Sequence, residues 1–189
     1  LAPLDRLRAK QSRADLREVA SEGATPRLAA LLSGRGPARD FLAAVLDLSD
    51  FLRDGLRRRP EILENLFDRT LDSRLRELEA EILGAPAVPD VAEASLMAAL
   101  RAKKFEAHCL IAIDDLAGRA DCAVTVRRLS DLADACVAAA VDFLLRDADR
   151  QGKLKLVDAA SPGKGSGWIL LGMGKLGAHE LNFSSDIDL

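Results

Sequence analysis

The sequence predicts an α+β fold, with a helical bundle over residues 1–150 followed by the first strands of a second region over residues 151–189. Between Leu4 and Arg150 the apolar residues recur at the three- and four-residue spacing of helices. This part is rich in Ala, Leu, Arg and Glu and poor in the residues that favour strands. From Gln151 the composition changes to glycine-rich turns and short apolar runs, which predict strands.

The helical part contains recognisable start and stop signals. Pro26 and Pro60 suit the first turn of a helix, whereas Gly23, Gly84 and Gly118 suit helix ends. Apolar spacing and these signals together predict helices over residues 4–20, 26–33, 38–57, 60–69, 71–83, 89–117 and 121–150.

Three strands are predicted after residue 150. Leu154–Val157 is a short apolar run before a turn-rich connection, and Trp168–Gly174 is an apolar run bounded by glycines. Ser185–Leu189 alternates polar and apolar residues, as expected of a strand with one face in water. A short helical segment centred on Glu180 is expected between the last two strands.

Composition excludes several classes of partner. The 27 basic and 30 acidic residues leave a net charge of −3, so no overall field attracts nucleic acid or an anionic membrane. No apolar run reaches the roughly 18–20 residues that cross a bilayer, and no signal peptide is evident, which predicts a cytoplasmic protein. The spacing of Cys109, Cys122 and Cys136 predicts buried free thiols rather than disulfides or a metal site.

The C-terminal residues carry the clearest chemical pattern. Asp186 and Asp188 are two positions apart, so in a strand their side chains share a face, with Cα atoms about 6.6–6.8 Å apart. Two neighbouring carboxylates with open space beside them suit Mg²⁺ bound to a nucleotide phosphate, and Mn²⁺ uses the same oxygen ligands. The alternative is that the pair only solvates the end of a strand.

A glycine-rich turn precedes the two acids. Without Cβ atoms, Gly172, Gly174 and Gly177 allow a sharp turn whose N–H groups approach phosphate oxygens, and Lys175 adds positive charge. The same G-x-G-x-x-G pattern occurs in dinucleotide-binding folds. That alternative is disfavoured because Asp186 follows Gly174 by only 12 residues, which leaves no room for the helix and second strand of such a fold.

The segment GMGKLGAHELNFSSDIDL, residues 172–189, resembles the signature of the bacterial glutamine synthetase adenylyltransferases, also called glutamate-ammonia ligase adenylyltransferases and adenylyl-removing enzymes. Weaker resemblance extends upstream, over Arg57–Phe67 and Arg101–Asp115. The family has two nucleotidyltransferase domains in one polypeptide. The first removes AMP from a tyrosine of glutamine synthetase by phosphorolysis, and the second attaches it from ATP.

The resemblance implies that this chain belongs to the first, adenylyl-removing copy, with residues 151–189 beginning its α/β nucleotidyltransferase domain. Because the chain starts at Leu1 and stops directly after Asp188, we expect a truncated fragment that is inactive alone. The implied ligands are Mg²⁺ or Mn²⁺ and ATP or ADP, and the implied partners are glutamine synthetase and a PII signalling protein.

The resemblance also assigns roles within the motif. Asp186 and Asp188 would be catalytic metal ligands, and Glu180 and Asn182 would support the loop. The related superfamily has a Gly-Ser pair where this chain has Gly174–Lys175, which implies a phosphate contact through the backbone. The residues that would bind nucleotide or phosphate are Gly172, Gly174, Lys175, Gly177 and Ser185.

A non-catalytic alternative stays open from the sequence. The helical region could be a docking scaffold for glutamine synthetase or a regulator, with a purely structural glycine motif. Arg57–Arg59 fit either a docking patch or the cations expected at a helix C-terminus. His108 is interpreted as a core or surface residue of a helix, and His179 as a loop residue rather than a phosphate contact.

Overall fold

The computed structural model describes all 189 residues, and every regular element in it is helical. No helix combines the length and the apolar character needed to cross a membrane. Two single 3₁₀ turns occur at Asn65–Phe67 and Ala85–Ala87. The α-helices are α1 (Arg6–Glu22), α2 (Pro26–Ser33), α3 (Pro37–Leu48), α4 (Asp50–Arg58), α5 (Glu61–Glu64), α6 (Leu71–Gly84), α7 (Glu93–Leu116), α8 (Cys122–Arg150) and α9 (Gly174–Gly177).

The chain divides into two compact units. Unit 1 comprises residues 1–74 and 109–121, and unit 2 comprises residues 75–108 and 122–189. Helix α7 therefore contributes its first part to unit 2 and its last part to unit 1. The domain boundary predicted at residue 150 stays a prediction.

Most of the predicted helices agree with the structure, but the predicted helix 60–69 is only α5 followed by a 3₁₀ turn, and the predicted helix 89–117 begins at Glu93. The predicted helix 38–57 is divided into α3 and α4 because Ser49 is extended, with φ −132° and ψ 109°. The Ser49 hydroxyl oxygen accepts a hydrogen bond from the Leu52 N–H at 3.2 Å, so the residue begins a new helix as its N-cap. Arg57 and Arg58 lie in the last turn of α4, where their charges offset the carbonyl dipole.

Buried leucines from four helices form the core of unit 1. Helix α1 packs against α2, α3 and α4. The side chains of Leu16, Leu28, Leu46 and Leu52 are at most 1% exposed, one from each of these helices. Burying an aliphatic side chain of this size contributes about 1.5–3 kcal/mol to folding, so these contacts account for much of the stability of unit 1.

A buried carboxylate joins α3 to the start of α1. The Asp47 side chain is 0% exposed and accepts hydrogen bonds from the Leu4 and Asp5 N–H groups, at 2.7 and 2.9 Å. The Arg8 Nε also donates to it, at 2.6 Å. The hydrogen bond from Asp5, followed by those from Arg8 and Leu4, outweighs the effect of burial and lowers the pKa of Asp47.

A second carboxylate caps a helix to which it does not belong. Thr25, at the N-cap of α2, makes no side-chain capping hydrogen bond. Glu64 of α5 instead accepts from the Arg27 and Leu28 N–H groups, at 3.2 and 2.8 Å. Burial raises the pKa of Glu64, but these bonds and the Arg27 guanidinium outweigh burial, and the pKa is lowered overall.

Unit 2 is organised around the 29-residue helix α8. Many of its buried positions are three or four residues apart, as in a helix with one core-facing stripe. Among them are Leu129, Leu132, Ala139 and Phe143. Of the three cysteines, which are all free, Cys109 is buried, Cys136 is partly buried and Cys122 is exposed, so burial was predicted correctly for only part of the set.

The predicted α+β class is wrong, because the described chain contains no strand. Leu154–Val157, Trp168–Gly174 and Ser185–Leu189 form no ladder, although Met173 is extended, with φ −104° and ψ 169°. One backbone hydrogen bond, from the Met173 N–H to the Asp188 carbonyl at 2.9 Å, joins the last two segments. A strand is defined by repeated pairing with a neighbour, and a single bond does not supply it.

Two further details differ from expectation. The helical turn after the apolar run is α9, Gly174–Gly177, and it ends before Glu180 instead of being centred on it. The apolar side chains that a sheet would bury are exposed, with Trp168 63%, Ile169 81% and Leu171 67% accessible. The segment Trp168–Gly174 is apolar, as a buried strand would be. Its composition alone cannot show whether another strand is present to pair with it.

Replacing Asp47 with Ala is expected to lower Tm, because two N–H groups and Arg8 lose their shared acceptor. The pKa of Asp47 is lowered on folding, so its contribution is present above about pH 3.9 and is lost as the pH falls through the folded-state pKa. The Tm difference between the parent and Asp47→Ala should therefore shrink below about pH 4, as measured by circular dichroism. Asp50→Ala is the control, since the Asp50 side chain is 75% exposed, and an equal loss there would contradict the interpretation.

Candidate functional site

We call residues 172–189, the C-terminal motif, the closing loop. Close packing requires glycines at several of its positions. A Cβ atom on Gly177 would lie 2.3 Å from the Gly172 carbonyl oxygen, and one on Gly172 would lie 3.1 Å from the Leu176 Cγ. Gly174 has φ +52°, in the left-handed region that favours glycine. The pattern thus builds a tight turn in which the backbone folds against itself.

Asp188 lies beside this turn. Its Oδ2 atom is 3.8 Å from the position that a Cβ on Gly174 would occupy. Its carbonyl oxygen accepts the hydrogen bond from the Met173 N–H. The N–H groups in the first turn of a helix have no acceptor within that helix, so the start of α9 offers free donors next to this carboxylate.

The closing loop is anchored to α8. Leu176 and Leu181 are each 3% exposed, and the Leu181 N–H donates to the buried Ser130 hydroxyl oxygen at 3.2 Å. Ser130 itself is 0% exposed and donates to the Val126 carbonyl, so its hydroxyl group both accepts and donates a hydrogen bond. The loop after α9 is therefore held in one position.

Two of the predicted loop residues interact with each other. The Asn182 Oδ1 accepts hydrogen bonds from the Ser184 N–H and the Ser185 hydroxyl, both at 3.0 Å. The Ser185 hydroxyl is thereby engaged within the loop. The Glu180 N–H donates to the Lys175 carbonyl at 2.8 Å, and the Lys175 side chain is exposed.

Asp186 lines a cavity that none of the glycines of the closing loop lines. That cavity has a volume of about 390 Å³, and Lys104 and His108 of α7 and Cys136 of α8 contribute to its wall with Asp186 and Phe183. Gly172 lines a separate cavity of about 330 Å³, together with Trp168, Leu176 and Leu189. The structure thus brings Asp188 to Gly174 but places Asp186 next to residues that the motif did not indicate.

Comparison with known families assigns the chain. The model of the family "Glutamate-ammonia ligase adenylyltransferase" matches residues 40–189. The chain belongs to this family. The resemblance inferred from residues 172–189 is therefore confirmed.

Relatives of the chain carry one name, "Bifunctional glutamine synthetase adenylyltransferase/adenylyl-removing enzyme". The chain is 62% identical over its whole length to the protein of that name from Mesorhizobium japonicum (strain LMG 29417 / CECT 9101 / MAFF 303099). It is 50% identical to that from Brucella suis biovar 1 and 41% identical to that from Bartonella quintana, again over its whole length. It spans only 19% of each of these relatives. No solved structure matches the chain.

In this chain, Lys104 and His108 line the same cavity as Asp186, a position that the sequence did not indicate. They are one helical turn apart on α7, a spacing that puts both on one face. Burial, and then the charge of Lys104, lower the pKa of His108 to about 4, so the imidazole is neutral at pH 7. Burial also raises the pKa of the Cys136 thiol, against the opposing effect of Lys104. The i,i+4 spacing of Lys104 and His108 can be read from the sequence, but their position in the cavity that Asp186 lines cannot.

The acidic residues of the family motif have the donor chemistry of a hard cation site. Asp186 and Asp188 are both exposed and offer only carboxylate oxygens, the ligand type that Mg²⁺ and Mn²⁺ accept. The oxygen chemistry of each residue therefore suits a divalent cation that keeps further positions for water and phosphate. Their assignment as metal ligands stays a prediction.

Replacing Gly177 with Ala is expected to destabilise the protein by about 1–3 kcal/mol, because the new methyl group overlaps the Gly172 carbonyl and the backbone must shift. Urea denaturation measures the change. Gly84→Ala is the control, since Gly84 has φ −79° and a Cβ added there would meet nothing within 4 Å. Equal stability of both variants would show that the turn does not depend on the glycine contact.

His108 should make stability depend on pH. Its pKa is lowered on folding to about 4, so its contribution is complete above the unfolded value of about 6.5 and is lost as the pH falls towards 4. His108→Gln removes this contribution. The parent should lose more Tm than His108→Gln between about pH 6.5 and 4. Parallel Tm profiles for the two proteins would contradict the burial of His108.

Proposed function

We propose that this chain forms part of the site that removes AMP from glutamine synthetase, within an enzyme that regulates glutamine synthetase by reversible adenylylation. Family membership supports the general class, and the name of the relatives includes both an adenylyltransferase and an adenylyl-removing activity. The assignment to removal follows the resemblance to the first of the two family motifs. Glutamine synthetase is then the protein substrate, PII a regulator, and the cytoplasm the compartment.

The observation that carries the proposal is the position of Asp188. Its carboxylate lies against Gly174, beside the first turn of α9, where helix N–H groups are free. Oxygen ligands for a cation and donors for a phosphate are thereby adjacent. This is the combination that phosphoryl and nucleotidyl transfer requires, because the reacting group carries negative charge on several oxygens.

The proposed reaction is a phosphorolysis. An oxygen of inorganic phosphate forms a bond to the phosphorus of the adenylyl group, and the bond from that phosphorus to the tyrosine oxygen breaks. The products are ADP and glutamine synthetase with a free tyrosine, whose oxygen takes up a proton. Asp186 and Asp188 would hold Mg²⁺ or Mn²⁺, which supplies positive charge to the phosphate oxygens.

The residues of the chain orient these groups. The glycine turn brings backbone N–H groups towards the phosphates, and the Ser130–Leu181 hydrogen bond keeps the loop against α8. Lys104 adds a cation to the cavity that Asp186 lines, and His108 stays neutral there at pH 7. Removal and attachment of AMP both need positive charge near the phosphate oxygens, so the charges of the site do not distinguish the two reactions. The experiment must therefore measure the two rates separately.

The test uses the full-length enzyme with Asp186→Asn or Asp188→Asn, changes that keep side-chain size and remove charge. We expect phosphate-dependent release of ADP from adenylylated glutamine synthetase to fall by on the order of 10²–10³-fold, while ATP-dependent attachment is retained. Glu79→Gln, at an exposed acid of α6, is the matched control and should leave both rates unchanged.

Two other results would contradict the proposal. Normal removal and normal attachment in both variants would refute a catalytic role and favour the docking scaffold. Loss of attachment with normal removal would place the chain in the other half-reaction.

A further inference from the structure

Three side chains of the types that bind metals, none of which has a role in the proposed reaction, meet on the surface of unit 2. Asp131 and Asp134 are three residues apart on α8 and therefore share a face. His179 follows α9 in the closing loop. One ligand atom from each, an imidazole nitrogen of His179 and a carboxylate oxygen of each acid, all lie within 4.8 Å of one another.

The position of His179 is determined by its neighbours rather than by the acids. Buried Leu176 precedes it and buried Leu181 follows it, and the Leu181 N–H is bonded to Ser130. Its own N–H donates to the Leu176 carbonyl at 3.0 Å. Because Ser130 is next to Asp131 in α8, these anchors bring the imidazole to the two acids.

The His179 Nδ1 atom lacks a partner. It is shielded from solvent and makes no hydrogen bond. The nearest acidic atom, the Asp134 Oδ2, is 4.0 Å away, which is too far for a hydrogen bond. Shielded polar atoms in folded proteins nearly always have a partner, so this nitrogen indicates a ligand between the imidazole and the acids.

The donor set indicates the class of ligand. One imidazole nitrogen with two carboxylate oxygens suits a divalent first-row transition metal, whereas Mg²⁺ prefers oxygen ligands alone. In a tetrahedral zinc site the ligand atoms are about 3.3 Å apart, so the 4.8 Å cluster must contract slightly. The side chains can rotate to do this, because Asp131, Asp134 and His179 are 45%, 52% and 40% exposed.

We propose that Asp131, Asp134 and His179 form a zinc site that fastens the closing loop to α8. The fourth position is open to water, as expected for three protein ligands. Arg127 also pairs with Asp131, with its Nε 2.8 Å from the Asp131 Oδ1, and therefore competes with the metal. The site is separate from Asp186 and Asp188 and does not depend on the proposed reaction.

The test measures Zn²⁺ binding by isothermal titration calorimetry on chelator-treated full-length protein. His179→Asn removes the imidazole but tolerates the left-handed backbone at φ +54°. We expect His179→Asn and Asp134→Asn each to weaken one zinc site by at least 10-fold, or to abolish it. Arg127→Gln should strengthen the same site several-fold. Asp142→Asn, at another acid of α8, is the control and should leave the affinity unchanged.

Hydrogen exchange gives a readout independent of affinity. Zn²⁺ should slow amide exchange in residues 174–181 of the parent protein, but not in His179→Asn. Unchanged zinc affinity in His179→Asn and Asp134→Asn would overturn the site, and unchanged exchange in the parent would overturn the fastening role. Asp186→Asn should keep this zinc site, so failure of the catalytic proposal and failure of this one can be distinguished.

Discussion

The closing loop depends on a contact between two glycine backbones. Gly172 and Gly177 approach so closely that no side chain fits between them, and this closes the turn containing α9. The same turn carries Gly174 against Asp188 and places Leu176 in the core of unit 2. The position of an acidic group beside free helix N–H groups is therefore a consequence of backbone packing.

The helices of the chain could be predicted from sequence because their causes are local. Proline at the start of α2, glycine at the end of α6 and apolar spacing along α8 all act within a few residues. The buried carboxylates Asp47 and Glu64 could not be predicted in the same way. Each accepts hydrogen bonds from residues about 36–43 positions away in sequence, and no local pattern reports such a partner.

The strands and the site show the limit of the same reasoning. Trp168–Gly174 has the composition of a buried strand, but burial and pairing depend on neighbours that composition does not reveal. The motif predicted a glycine turn near the acids, and the structure brings Gly174 and Asp188 together, whereas the roles of both residues stay predictions. It could not predict that Asp186 would adjoin Lys104, because that proximity depends on how the closing loop packs in unit 2.

Because Trp168 is exposed, its intrinsic fluorescence can report on binding to the segment around it. Trp168 is the single tryptophan of a sequence without tyrosine, so the indole emission of this polypeptide arises from one position. That position is 63% accessible and lies in the apolar segment before the glycine turn. Any molecule or protein surface that covers the segment would transfer the indole from water to an apolar environment and shift its emission to shorter wavelength, without an introduced label.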